Sequence, residues 1–79
     1  MTPGQCRAAR GLLNITQGDL AKAADVSEKT IADFERGLRR PYRRTIAALR
    51  QALEAAGVEF IPENGGGAGL RLRKPEGGA

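Results

Sequence analysis

As far as Ala56 the apolar positions recur at helical spacing, and from Val58 onward the period shortens to that of a strand. Cys6, Ala9 and Leu13 share one face at i, i+3, i+7 spacing, which predicts a first helix over about Pro3 to Leu13. Thr2 serves as its N-cap and Pro3 takes the first helical position, where a missing N–H costs little. Gly11 weakens this helix by about 1 kcal/mol relative to alanine. Leu20, Ala21 and Ala24 form the apolar face of a second helix, about Gln17 to Ala24. Thr16 caps it, with Asp19 three residues on in a spacing like that of a capping box. The period breaks at Asp25-Val26, where aspartate tolerates the left-handed backbone of a tight turn. Ser27 caps a third helix, about Glu28 to Arg36, which buries Ile31 and Phe34 and stops at Gly37. A connection from Gly37 to Pro41 leads to a fourth helix, about Arg43 to Ala56, with Ile46, Leu49, Leu53 and Ala56 in one stripe and Gly57 as its end.

Beyond Gly57, Val58-Glu59-Phe60-Ile61 is β-prone, Pro62 to Gly69 is turn-forming, and Leu70-Arg71-Leu72-Arg73 alternates apolar and basic. This is the pattern of a small hairpin. Its loop exceeds the favoured two to five residues and an isolated hairpin is marginal, so it must pack on the helices or pair with another chain. The predicted organisation is a helical domain over 1–57, a β segment over 58–73 and a frayed tail over 74–79.

The chain has 79 residues, which allows one domain and one core. A domain of this size buries only about 60% of its unfolded surface, so it needs efficient helices, a partner or a staple. Cys6 is the only cysteine and there is no histidine, so neither an internal disulfide nor a zinc set is available, and Cys6 reads as a small core residue. No apolar run approaches a membrane span and Met1 to Cys6 lacks the character of a signal peptide, so the expectation is a soluble, cytoplasmic protein. Lysine and arginine number 13 against 9 acids, a net charge of +4. Six arginines and no acid lie between Arg36 and Arg50, so that stretch carries +6 and the rest of the chain −2. Arginine forks suit phosphate, and the local concentration points to a polyanionic partner.

Two short helices joined at Asp25-Val26 have the length of a helix-turn-helix. Ala21 permits their close approach, and Val26, Ile31 and Phe34 fill the space between them. The second helix then turns its N-terminal residues outward, toward a major groove about 12 Å wide. At these residues the sequence resembles the Cro and phage-repressor (XRE) class of bacterial helix-turn-helix regulators. The resemblance rests on Thr16-Gln17, Leu20-Ala21, Ala24, Val26-Ser27, Thr30-Ile31, Glu35, Gly37 and Pro41, and covers about Cys6 to Ala56. Asp25 stands where that family most often has glycine. The fold it implies is mainly α, a lambda-repressor-like bundle of four or five helices with a short C-terminal β-hairpin or strand pair.

The resemblance also implies roles. Gln17, Ser27, Glu28, Lys29 and Asp33 are the expected base contacts, lysine donating to guanine O6 and N7 and a carboxylate accepting from cytosine N4. Thr16, Thr30, Arg36, Arg39, Arg40, Arg43 and Arg44 are the expected backbone contacts, setting affinity and register rather than sequence. Glu28 and Asp33 oppose phosphate, so they either select against wrong bases, find partners in Lys29 and Arg36, or are simply early-helix residues favoured by the macrodipole. Arg10 and Glu35 match a structural ion pair of the family.

One recognition helix reads too few base pairs for useful specificity, so a two-fold dimer is expected. Val58, Phe60, Ile61, Leu70 and Leu72 are the candidate interface, on the argument that an unpaired edge strand is a template for strand addition. The other arrangement is a hairpin folded over its own helices. Gly65-Gly66-Gly67 is not a phosphate loop, since no lysine follows it and no helix opens from it. The function expected is a sequence-specific, double-stranded-DNA-binding transcriptional regulator, a homodimer on a pseudo-palindromic operator and, by analogy with small family members, acting on its own promoter. The alternative is an antitoxin or antiactivator acting on another regulatory protein, and RNA polymerase is a further partner to weigh. The expected setting is bacterial or phage-encoded, at the nucleoid through DNA. No cofactor is expected. Without histidine, a nucleophile beside a base or paired metal carboxylates, an enzyme is not expected either. Phe34, Tyr42 and Phe60 are too few aromatics for a single-strand platform.

Overall fold

The computed structural model describes residues 1–62 and 69–73. The predicted tail and the glycine run at 65–67 lie outside the described residues. Four helices, α1 (Pro3–Leu13), α2 (Gln17–Ala24), α3 (Glu28–Glu35) and α4 (Arg43–Ala55), are followed by β1 (Val58–Ile61) and β2 (Gly69–Leu72).

Local chemistry sets the helix starts. Thr2 accepts from the Gln5 N–H at 3.1 Å while the Gln5 side chain accepts from the Thr2 N–H at 2.8 Å, a full capping box. Thr16 and Asp19 form a second one, at 3.0 and 2.9 Å. Ser27 caps α3 by accepting from the Thr30 N–H at 3.1 Å. Tyr42 precedes α4 without any side-chain cap bond.

The ends of α1, α2 and α3 share one device. Asn14, Asp25 and Gly37 each adopt a left-handed backbone, with φ of 57°, 56° and 74°. Each is followed by an N–H that reaches back to close the helix, Ile15 to Arg10, Val26 to Ala21 and Leu38 to Asp33, at 3.1, 3.0 and 2.9 Å. This is the hydrogen-bond pattern of the Schellman motif. It turns the chain within two or three residues, so α2 and α3 are joined by Asp25, Val26 and Ser27 alone. Asn14 was not legible as a helix end in the apolar pattern, although asparagine is the commonest substitute for glycine in this conformation.

Cys6, Ala9, Leu20, Ile31, Phe34, Ile46, Leu49, Leu53 and Val58 form one core. Leu13, Ala21, Ala24 and Val26 pack half-buried against it. The expected α4 stripe needs one correction. Ala56 is exposed, because α4 ends at Ala55 and Gly57, at φ 117°, redirects the chain. Val58 takes the core position beyond Leu53 instead, fully buried.

The two strands pair antiparallel with Val58 opposite Leu72 and Phe60 opposite Leu70. They pack on α1 and α4. The Arg73 N–H donates to the Gly57 carbonyl at 2.6 Å, which anchors the end of β2 on the end of α4. Val58 is therefore sealed inside its own chain, and Phe60 and Leu70 lie half-buried against the same core. Leu72 remains 48% exposed. Among the described residues no helix is long and apolar enough to cross a membrane.

The corrected stripe makes a direct contrast. Leu53→Ala is expected to cost about 3 kcal/mol, through lost burial and the cavity left behind, whereas Ala56→Ser should stay within about 0.5 kcal/mol of the parent. Urea unfolding followed by circular dichroism measures both.

Candidate nucleic-acid interface

The site begins with a charge inside the bundle. Glu35, at the end of α3, is only 2% exposed. Arg10 of α1 meets it with two parallel bonds, Nε to Oε2 and Nη2 to Oε1, both 2.7 Å. Gln17, the first residue of α2, donates from Nε2 to Oε1 at 3.1 Å, and the Cys6 thiol donates to Oε2 at 3.2 Å. Arg7 donates to the Glu35 backbone carbonyl. Arg10 also reaches the Ile15 carbonyl at 3.2 Å. Burial pushes the Glu35 carboxyl up, but the hydrogen bonds from Arg10, Gln17 and Cys6 and the Arg10 charge outweigh it and hold it below its ordinary value. The Cys6 thiol is pushed up to about 12 by burial and by donation to Glu35, so it is a thiol and not a thiolate.

With α3 pinned at that end, its opposite face is presented outward. Ser27, Glu28 and Lys29 are exposed, and Thr30 and Asp33 are half-buried. Ser27 Oγ lies 2.7 Å from Thr30 Oγ1. Lys29 Nζ donates to Asp33 Oδ2 at 2.8 Å. Glu28 folds across the start of α2, where a Cβ on Gly18 would meet its Oε1 at 2.7 Å. The two recognition-helix acids thus have different surroundings. Asp33 is neutralised by a lysine one turn away, and Glu28 is in no ion pair among the described residues.

The arginines of the expected backbone clamp follow directly. Arg36, Arg39, Arg40, Arg43 and Arg44 are all exposed, and among the described residues none makes an ion pair or a side-chain hydrogen bond. A groove of about 500 Å³ runs from Thr30 of α3 past Arg39, Arg40 and Tyr42 to Thr45 of α4. It places the recognition helix and the basic connection on one surface. Arg50 belongs elsewhere. Its Nε bonds Glu54 at 3.3 Å and its guanidinium lies 5.0 Å from the Phe60 ring centroid, a cation–π contact.

Besides the Ser27–Thr30 and Lys29–Asp33 contacts on α3, two side chains of the expected DNA-contact set at the start of α2 have partners inside the protein. Thr16 is engaged in its capping box, and the Gln17 amide nitrogen is turned to Glu35. Gln17 keeps its carbonyl oxygen and one N–H for other use. Sequence reasoning missed that Gln17 and Cys6 join the Arg10–Glu35 pair, since no periodicity or spacing marks either. It also missed Leu38 and Tyr42, apolar surfaces 63% and 80% exposed beside the arginines. Their position on a basic connection, outside any helical stripe, was the available signal.

The helix-turn-helix family profile matches residues 7–59. The chain belongs to the helix-turn-helix family of XRE, Cro and lambda-repressor type, a family of DNA-binding regulators. No curated protein matches it as a close relative.

The Glu35 network carries a pH signature. A carboxyl whose folded pKa lies below its unfolded value, about 4.3 for glutamate, contributes stability that is fully present above the unfolded value. That stability is lost as pH falls through the folded value. The urea midpoint of the parent should fall steadily below about pH 4.3. Glu35→Gln should keep only the shallower dependence of Asp19, lowered by the Thr16 N–H, and of Asp33, lowered by the Lys29 bond.

Proposed function

We propose that this chain is a sequence-specific regulator of transcription that binds double-stranded DNA as a homodimer on a pseudo-palindromic operator. The observation that carries the reading is the common surface of the outward face of α3 and five acid-free arginines, Arg36, Arg39, Arg40, Arg43 and Arg44. Guanidinium groups without acidic partners are available to phosphate, where each contact releases a counterion and fixes the register of the protein on the duplex. With the backbone gripped on that side, α3 lies in the major groove and supplies the base contacts from Ser27, Glu28, Lys29 and Asp33. Gln17, tied to Glu35, meets the backbone or an outer base from the start of α2.

Dimerisation follows from the information required. One α3 covers a few base pairs, and a second copy related by a two-fold axis places another about 34 Å away. The hairpin offers the contact through its unpaired strand edges and the exposed Leu72, the inward side chains being used by the core of the protomer. Control is by concentration, with the chain acting on its own promoter.

Mobility shifts at several salt concentrations test this reading. Arg40→Ala should weaken binding to all sequences alike and reduce the salt slope by about 1. Selection from a random duplex pool should return an inverted repeat with half-sites about 10 base pairs apart. Unchanged affinity and slope in Arg40→Ala would remove the arginine surface from the interface, and a single asymmetric site bound by one protomer would exclude the dimer.

A further inference from the structure

On the outward face of α3, Lys29 and Asp33 act as a unit. Lys29 Nζ donates to Asp33 Oδ2 at 2.8 Å across one helical turn. Together with Ser27 and Thr30 they line a groove of about 420 Å³ walled by Leu38 and Arg39. The Lys29 side chain is 83% exposed and that of Asp33 is 20% exposed, so the ammonium projects outward while the carboxylate braces it from the helix wall. An ammonium has three N–H groups and gives one to Asp33. Oδ1 of Asp33 makes no hydrogen bond among the described residues. The pair therefore offers a donor beside an acceptor and carries no net charge. The Lys29 hydrogen bond and the nearby charges of Lys29, Arg36 and Arg39 keep the Asp33 carboxyl below its ordinary range, so it remains an acceptor at neutral pH.

That arrangement discriminates between purines. In the major groove guanine shows two acceptors, N7 and O6, whereas adenine shows the acceptor N7 beside the amino donor N6. A lone lysine suits guanine. A donor and an acceptor held side by side suit adenine, the match otherwise made by the amide of asparagine or glutamine. Against guanine, the Asp33 oxygen would face O6 with no proton between them.

Resting on the reading that α3 enters the major groove, we propose that Lys29 and Asp33 read one adenine as an ion-paired couplet, Lys29 donating to N7 and Asp33 accepting from the N6 amino group. In this account Asp33 is the residue that sets specificity, by turning a guanine-reading lysine into half of an adenine reader. This replaces the separate guanine and cytosine contacts that the two residues would make alone.

The test is duplex selection with the full-length parent, Lys29→Ala, Asp33→Ala and the double variant. It is followed by titration of paired duplexes that differ at the selected base pair alone. Lys29 is exposed and Asp33 half-buried, both outside the core, so removing the pair costs little stability and the helical circular-dichroism signal should be unchanged in every variant. The parent should prefer adenine over guanine at one position by about tenfold. Asp33→Ala should move that preference to guanine at the same position. Lys29→Ala should bind more weakly but still favour adenine, since Asp33 alone meets N6 of adenine and is opposed by O6 of guanine, and the double variant should show no preference there. Guanine chosen by the parent, or an adenine preference that survives in Asp33→Ala, overturns the couplet while leaving DNA binding standing. A parent protein that enriches no duplex overturns instead the reading of α3 on which the couplet rests.

Discussion

A carboxylate inside so small a bundle must be answered by donors, and the arrangement of the first three helices is that answer. Glu35 on α3 receives Arg10 and Cys6 from α1 and Gln17 from α2. Apolar contacts tolerate a good deal of sliding and rotation, whereas a bidentate guanidinium–carboxylate pair fixes distance and orientation together. Burial alone would favour the neutral acid, and the convergence of four donor groups reverses that preference. Removing one partner leaves a charge in the core without its counterpart, which is why such pairs are costly to break even when they contribute little net stability.

The consequence for function is geometric. Glu35 pins the last turn of α3, Ser27 caps the first, and Ile31 and Phe34 bury one side between them. Lys29 and Asp33, on the opposite side, have no freedom to rotate inward without breaking the Glu35 bonds. The left-handed Gly37, with the Leu38 N–H returned to the Asp33 carbonyl, then sends the arginine-bearing connection away at a fixed angle. The interior charge and the surface charge are thus coupled through one short helix. The hairpin works at the other end, where Val58 closes the core beyond Leu53.

What the sequence made legible was chemistry that acts within a few residues. Thr2, Thr16 and Ser27 announce helix starts because a hydroxyl at that position satisfies a free N–H whatever the rest of the fold does. Gly37 and Asp25 announce ends for a similarly local reason. The arginine run and the helix-turn-helix were legible too, whereas the base contacts expected of Lys29 and Asp33 rested on a family resemblance. Four features were hidden. Gln17 turning to Glu35, Cys6 joining the same carboxylate, Val58 replacing Ala56 in the core, and Arg50 stacking on Phe60 each depend on residues distant in the chain. No local pattern encodes such meetings. The Lys29–Asp33 bond lies between these cases, since its i,i+4 spacing permits the pair and the fold decides that its open side faces outward.

Arg10 and Glu35 stabilise the bundle as a coupled pair. A double-mutant cycle measures the coupling directly, with Arg10→Met, Glu35→Gln and the double variant compared by urea unfolding at neutral pH. Each single change is expected to cost about 3 kcal/mol, while the double variant, which buries no unanswered charge, should lose clearly less than their sum, a coupling of about 2 kcal/mol. Additive losses, with coupling near zero, would show that the two residues act independently and that the bundle does not depend on the pair.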